Sequence, residues 1–182
     1  MLRCTEAQML DQKFKHYGVT KLWHFTDRSN LPFIKKYGGI LSLRELRQRQ
    51  IEVPVPGGND WSHDADTQKG LDKYVHLTLI PNHPMLYVAQ QQGRIIDPVW
   101  LVINADIALS ENVRFCTTVS NKSDAEIIDH ERAKQEIDFD ALSTFMDWSD
   151  PEVHARRKNA EKSEVLVQEI IPVEKIIGFR NG

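Results

Sequence analysis

Cysteine is almost absent from this chain: Cys4 and Cys116 are the two among 182 residues. They lie far apart and form neither a CxxC pair nor a Cys/His zinc spacing, which excludes a disulfide scaffold and a zinc module. Both read as free thiols in a reducing compartment, with a single disulfide as the alternative. Glycine is scarce too, nine in all, and never stands in the GxGxxG or GxxxxGK[ST] arrangements whose backbone N–H groups cradle phosphates. A Rossmann dinucleotide site and a P-loop are thereby excluded. The GxSxG elbow is missing. No apolar run approaches the roughly 20 residues that a helical membrane span needs, and Met1-Leu2-Arg3-Cys4-Thr5-Glu6 lacks the apolar core of a signal peptide. A cytoplasmic protein with no membrane partner is expected. An excess of positive charge is missing as well: 23 Lys plus Arg against 26 Asp plus Glu give a formal net charge of −3. A polyanion must then be met by a local patch and not by the field of the whole molecule.

What is there suits one globular domain over 1–182, with 41% hydrophobic and 27% charged residues, and with 1–20 as an N-terminal helical extension forming an added layer. Met9, Phe14 and Tyr17 among polar neighbours predict a helix over 5–17, stopped by Gly18. Lys21 to Thr26 is a short aromatic strand, and Asp27, Ser29 or Asn30 caps the helix that follows, which Gly38-Gly39 breaks. A second helix runs over 41–50 with Arg44, Arg47 and Arg49 on its polar side. The stretch 53–70, rich in Pro, Gly and Asp, is a long surface loop of the kind that is functional or disordered. Strands follow at 74–79, 99–104, 113–117, 164–171 and 175–179, and helices at 85–92, 122–131, 138–148 and 151–162. Strands and helices in this irregular order predict an α+β fold.

Four places combine residue types that can carry chemistry. His63, Asp64 and Asp66 stand in the polar loop without a helical His pair or an EF-hand spacing, so no metal site is expected. In Trp23-His24-Phe25-Thr26 the two-residue strand period puts His24 and Thr26 on one face; a lone strand histidine is either a satisfied core residue or a ligand contact. Pro84-Met85-Leu86-Tyr87 opens a helix after a strand, and its plain reading is packing. In Ser163-Glu164-Val165-Leu166-Val167 a carboxylate heads a buried apolar strand, and read by itself Glu164 is an ordinary acid solvated at a sheet edge.

Taken in order, HxTxxxNLxxI from His24 to Ile34, the Arg-rich helix, Val53-Pro54-Val55-Pro56-Gly57-Gly58, Tyr74-Val75 followed by Pro84-Met85-Leu86-Tyr87, and Glu164 heading Val165-Leu166-Val167 make a set. That set resembles the DarT family of DNA ADP-ribosyltransferase toxins, from about Trp23 to Pro172. The resemblance implies an ADP-ribosyltransferase-like split β-sheet core flanked by helices, an NAD+-binding cleft, and transfer of ADP-ribose to a base in single-stranded DNA. Carried over residue by residue, it makes Glu164 and Arg47 catalytic, with Arg49 and Arg44 as alternatives of register. His24, Thr26, Asn30, Arg47 and Tyr87 would bind NAD+, Tyr87 beside the nicotinamide or as packing only.

The same resemblance makes the protein the toxin of a toxin–antitoxin or phage-defence system, with a macrodomain-type antitoxin as partner. His76-Leu77-Thr78-Leu79 and Phe115-Cys116-Thr117-Thr118-Val119-Ser120-Asn121 depart from the family pattern, which leaves thymine and guanine both open as the target base. For the DNA itself, Arg44, Arg49, Arg156, Arg157, Lys158 and Lys162 would track phosphates, with Trp148, Phe145 or Trp61 available for stacking; the alternative for 156–162 is a solvated helix face. Two other functions keep the fold: a non-catalytic module binding NAD+ or nucleic acid, and an ADP-ribosyltransferase acting on RNA or protein.

Overall fold

Alternating apolar residues build the sheet. In the computed structural model, which describes residues 6–56 and 67–182, the strands are β1 (Lys21–Asp27), β2 (Gly39–Leu41), β3 (Tyr74–Thr78), β4 (Pro98–Asn104), β5 (Val113–Cys116), β6 (Glu164–Gln168), β7 (Ile170–Pro172) and β8 (Ile176–Asn181). Six of them form one antiparallel sheet in the order β5-β6-β3-β1-β4-β8, and β2 pairs with β7 in a small second sheet. The helices are α1 (Glu6–Tyr17), α2 (Leu31–Lys36), α3 (Leu43–Gln48), α4 (Pro84–Gln91), α5 (His130–Glu136), α6 (Phe139–Ser143) and α7 (Pro151–Ala160). The α+β expectation holds. β1 pairs with β4 from Lys21↔Asn104 to Asp27↔Pro98, and β3 with β6 from Tyr74↔Gln168 to Thr78↔Glu164, whereas β1 and β3 meet at the one register Trp23↔Thr78. The sheet is thus open along most of the β1/β3 seam.

One face of the sheet carries the main core. Leu22, Leu101 and Ile103 on β1 and β4, Val75 and Leu77 on β3, and Val165 and Val167 on β6 pack with Leu10 and Phe14 of α1 and with Phe139 of α6. Leu10 and Phe14 lie one helical turn apart and are almost fully buried, which by area removed from water stabilises the fold by about 1.5–3 kcal/mol each. α1 is therefore built into the same core as the sheet. On the opposite face Trp23, Phe25 and Trp100 pack with Leu86 and Ala89 of α4.

Several elements differ from the sequence expectation, each for a local reason. Residues 122–129 are irregular, and α5 starts only at His130, where the Asp129 carboxylate accepts from the Arg132 N–H at 2.9 Å; the polar run Asn121-Lys122-Ser123-Asp124 favours turns over helix. α6 ends at Ser143, so Phe145 leaves the apolar face and is 88% exposed. The strand expected over 164–171 is broken at Glu169, in the left-handed region at φ +66°, which hands the chain from the large sheet to the small one. Gly39, read as a helix breaker, opens β2. A Cβ there would collide with the Ile171 carbonyl of β7, so the close approach of these strands requires glycine. His63, Asp64, Asp66 and Trp61, most of the 53–70 loop, and Cys4 lie outside the described residues. Cys116 is a buried free thiol. Among the described residues no helix is long and apolar enough to cross a membrane.

Asp27 fixes the end of β1. One carboxylate oxygen accepts from the Ser29 N–H and hydroxyl at 3.0 and 2.7 Å, the other from the Ile96 and Asp97 N–H groups at 3.0 Å each. Hydrogen bonds from the Ser29 and Asp97 backbone lead in pulling this carboxyl down to about 2. Its folded pKa lies below the unfolded one, so its contribution is present above roughly pH 4 and is lost as the pH falls toward 2. Asp27→Asn is expected to lower the urea midpoint at pH 7, with the gap to wild type closing across that window.

Candidate active site

The open β1/β3 seam, closed over by α3 and β2, forms a cleft of about 720 Å³, within the range of small-molecule sites. Its lining includes His24 and Thr26 from β1, His76 and Thr78 from β3, Arg47 from α3, and Glu164.

Glu164 is not a solvated edge residue. β6 lies between β5 and β3, and Glu164 at its head is 4% exposed. Its Oε2 accepts from the Ser120 hydroxyl at 2.5 Å and the Ser120 N–H at 3.2 Å, and stands 3.2 Å from His76 Nδ1. Its Oε1 lies 3.6 Å from His83 Nε2. Burial pushes the carboxyl up, but the hydrogen bond and charge of His76 and the hydrogen bond from the Ser120 hydroxyl outweigh it, and the group sits below its ordinary value. It is a carboxylate at neutral pH, with one oxygen fixed and the other less engaged.

His24 Nδ1 lies 3.0 Å from the His76 carbonyl. A carbonyl only accepts, so Nδ1 carries the proton and Nε2 is left as an acceptor. Burial holds this histidine below its ordinary value, hence neutral. Asn30 lines the cleft, with its polar atoms already engaged by the protein. Its amide N–H groups donate to Thr26 Oγ1 at 2.9 Å and to the Val55 carbonyl at 2.7 Å, while its oxygen accepts from the Val55 N–H at 3.1 Å. It clasps the cleft wall around Val55 to β1, and Thr26, already accepting from Asn30, has its own hydroxyl proton to offer a ligand. Asn30→Ala is expected to cost about 1–3 kcal/mol of stability, read as a lower urea midpoint, with weaker ligand binding as a consequence of the loosened wall.

The three arginines around α3 separate cleanly. Arg44 is paired with Asp72 at 2.7 Å and Arg49 with Glu45 at 2.6 Å, and neither lines the cleft. Arg47 does, and its Nη1 donates to Thr67 Oγ1 at 2.9 Å. Tyr87 is not where the resemblance would put it: it is 66% exposed and absent from the cleft lining, which Met85 joins instead. Two residues on a helix are about 200° apart, so the two side chains of α4 point to opposite sides.

The basic helix α7 is not a free cationic strip. Arg156 is paired with Asp138 and Asp140 at 2.5 and 3.0 Å, Arg157 with Glu161 at 3.0 Å, and Lys158 with Glu161 at 3.3 Å. Arg157 also lies over the Trp148 ring at 5.4 Å and so covers one of its faces. The solvated-face alternative fits 156–158 better than a phosphate track, and Phe145 is more exposed than Trp148 in this segment.

His76, His83 and Ser120 were not singled out as site residues from the sequence. Strand alternation alone relates His76 to Thr78; that both neighbour Glu164 follows from the β3/β6 register Thr78↔Glu164, a non-local pairing.

The family model described as ssDNA thymidine ADP-ribosyltransferase, DarT, matches residues 23–180. A search of curated sequences finds no match. Among solved structures, Thermus sp. 2.9 DarT in complex with ADP-ribosylated ssDNA superposes with a TM-score of 0.66 at 20% identity, over 89% of this chain and 81% of that one. The same Thermus protein in complex with NAD+ gives 0.58 at 22% identity, over 87% and 79%. Thermosipho africanus DarTG in complex with ADP-ribose gives 0.64 at 18% identity, over 88% of this chain and 43% of that one. At these identities the structures establish a shared fold, that of ADP-ribosyltransferases of the DarT type. With the family model spanning most of its length, from β1 into β8, the chain belongs to the DarT family of ssDNA thymidine ADP-ribosyltransferases.

Proposed function

We propose that this chain transfers ADP-ribose from NAD+ to thymidine in single-stranded DNA, with Glu164 as the catalytic carboxylate. The observation that carries the reading is a buried, ionised carboxylate with one oxygen fixed, in a cleft that also presents Arg47 and the acceptor nitrogen of His24. The bond between the ribose C1′ and nicotinamide breaks with its electron pair leaving on nicotinamide, which departs neutral and needs no metal. Positive charge then builds on the ribose, and Glu164 stabilises it. With its other ring nitrogen already bonded to deoxyribose, thymine in DNA keeps a single ring N–H, and as that nitrogen bonds to C1′ of the ADP-ribose the proton passes to Glu164 as general base. Arg47 grips the diphosphate, because a guanidinium offers phosphate oxygens a planar fork. His24 accepts from a ribose hydroxyl, and Thr26 donates beside it. Holding both substrates in register supplies several kcal/mol, roughly, of the barrier reduction.

In the cell the same reading makes the protein a cytoplasmic toxin of a toxin–antitoxin or phage-defence pair, opposed by a macrodomain-type hydrolase that removes the mark. Its support is the family, together with the fold shared with a DarTG protein. Incubation with NAD+ and separate pools of single-stranded DNA, duplex DNA, RNA and protein is the test. One ADP-ribose, detected by mass, is expected on thymidine-containing single strands and not on strands lacking thymidine. Modification confined to guanine-containing strands, RNA or protein overturns the substrate, and NAD+ binding with no modified pool overturns the transferase reading.

A further inference from the structure

The Glu164 carboxylate is held unequally. Oε2 has two donors on Ser120 and a third neighbour in His76 Nδ1, all within 3.2 Å. Oε1 faces His83, whose side chain is 2% exposed and whose Nε2 stands 3.6 Å away. His83 caps α4: its Nδ1 accepts from the Met85 N–H at 3.4 Å. The proton is therefore on Nε2. The Lys162 carbonyl interacts weakly with this N–H, but its geometry falls short of a full hydrogen bond, so Nε2 has no well-formed partner among the described residues. A buried N–H without a partner is rare in folded proteins and calls for a cause.

We propose that His83 is a positioning residue for the Glu164 carboxylate: its buried Nε2–H holds Oε1 as the working oxygen, while Ser120 and His76 fix Oε2. This rests on the transferase reading above. A short motion of either side chain closes the gap to Oε1, and the N–H then points the carboxylate and favours its charged form. Burial keeps His83 neutral, so this is a dipole and not an ion pair. The other groups facing the site are His76 on β3, Cys116 on β5, Glu161 at the end of α7, whose charge reaches His83, His24 on β1 beside His76, and Lys69 near Cys116. None is altered by substituting His83.

His83→Asn separates positioning from capping. Asparagine is a good helix cap, but its shorter side chain does not bring an N–H to Oε1. Expected for it are an unfolding midpoint close to wild type, a kcat about tenfold lower and a KM for NAD+ within about twofold, and an acid limb of kcat moved to higher pH. His83→Phe, which removes cap and donor together, is expected to lose the same activity and also some stability. Wild-type kcat and acid limb in His83→Asn would overturn the proposal; so would a loss carried by KM with the limb unmoved. Titration of the Glu164 carboxyl carbon by NMR gives a readout independent of turnover. Its midpoint is expected to be higher in His83→Asn than in wild type, and an unchanged midpoint sinks the positioning role. Absence of transfer by the wild type overturns the transferase reading instead, and the titration still decides for or against the contact.

Discussion

Glu164→Gln is expected to lower ADP-ribosyl transfer by at least about a thousandfold, the scale at which one preorganised charge acts in a water-poor site. The substitution removes two functions at once, because the amide neither stabilises a ribosyl cation by charge nor accepts the proton from thymine. Glutamine is a better choice than alanine. Glu164 is 4% exposed, and its carboxylate accepts from Ser120 and lies beside His76. Alanine leaves those buried donors unpaired at about 1–3 kcal/mol each, whereas glutamine keeps an oxygen for the Oε2 position. Product mass and the urea midpoint measured on one preparation separate the two effects. Transfer within about tenfold of wild type in a folded Glu164→Gln would remove Glu164 from the chemistry. In wild type the acid limb should lie below the ordinary carboxylate range, since the group is ionised above its lowered pKa and is lost to protonation only as the pH falls through it.

The second large effect is expected from Arg47→Ala: about 10- to 100-fold in kcat/KM, the size of one or two charge-assisted hydrogen bonds to phosphate. If Arg47 grips the diphosphate in both ground and transition states, the loss falls on KM for NAD+; if it contacts the reacting groups, it falls on kcat. Arg47→Lys keeps the charge and loses the fork, and should recover only part of the activity. Arg44→Ala and Arg49→Ala are the controls. Their guanidinium groups already serve Asp72 and Glu45, so near-wild-type transfer is expected from both. An inactive Arg49→Ala beside an active Arg47→Ala would transfer the role to Arg49.

How much of this was legible in the sequence depends on the range of the interaction. Gly18 ends α1 and the Asp150-Pro151 start opens α7 because caps and φ restrictions act within a few residues, and both elements are found as expected. The strands from Lys21 and Val99 were equally plain, since apolar alternation and β-branching are local signals. β2 was missed because its three residues have strand identity only through β7, and the helix expected over 122–131 begins only at His130 because the polar run ahead of it favours turns. The expected DNA surface looks different in the fold for the same reason: a sequence shows Arg156 and Arg157 as basic, while Asp138 and Asp140 at the start of α6, and Glu161 at the end of α7, pair with them.

By itself the sequence determined the family, through motifs whose order survives at low identity. It also named the candidates that the structure brings to one cleft: Glu164 at the head of its strand, His24 and Thr26 on β1, and an arginine just before the Val-Pro-Val-Pro segment. Only the tertiary structure separates the three arginines by position, tying Arg44 and Arg49 into ion pairs and leaving Arg47 to line the cleft, which is why Arg47 is the one proposed. It likewise made Asn30 a clasp and put Tyr87 outside the cleft. The surroundings of Glu164, with Ser120 and His76 on one oxygen and His83 behind the other, were beyond any local pattern. Those three side chains lie 44 to 88 residues from Glu164 in the chain, and they are brought to it by strand pairing and burial, which act between segments that no spacing in the sequence connects.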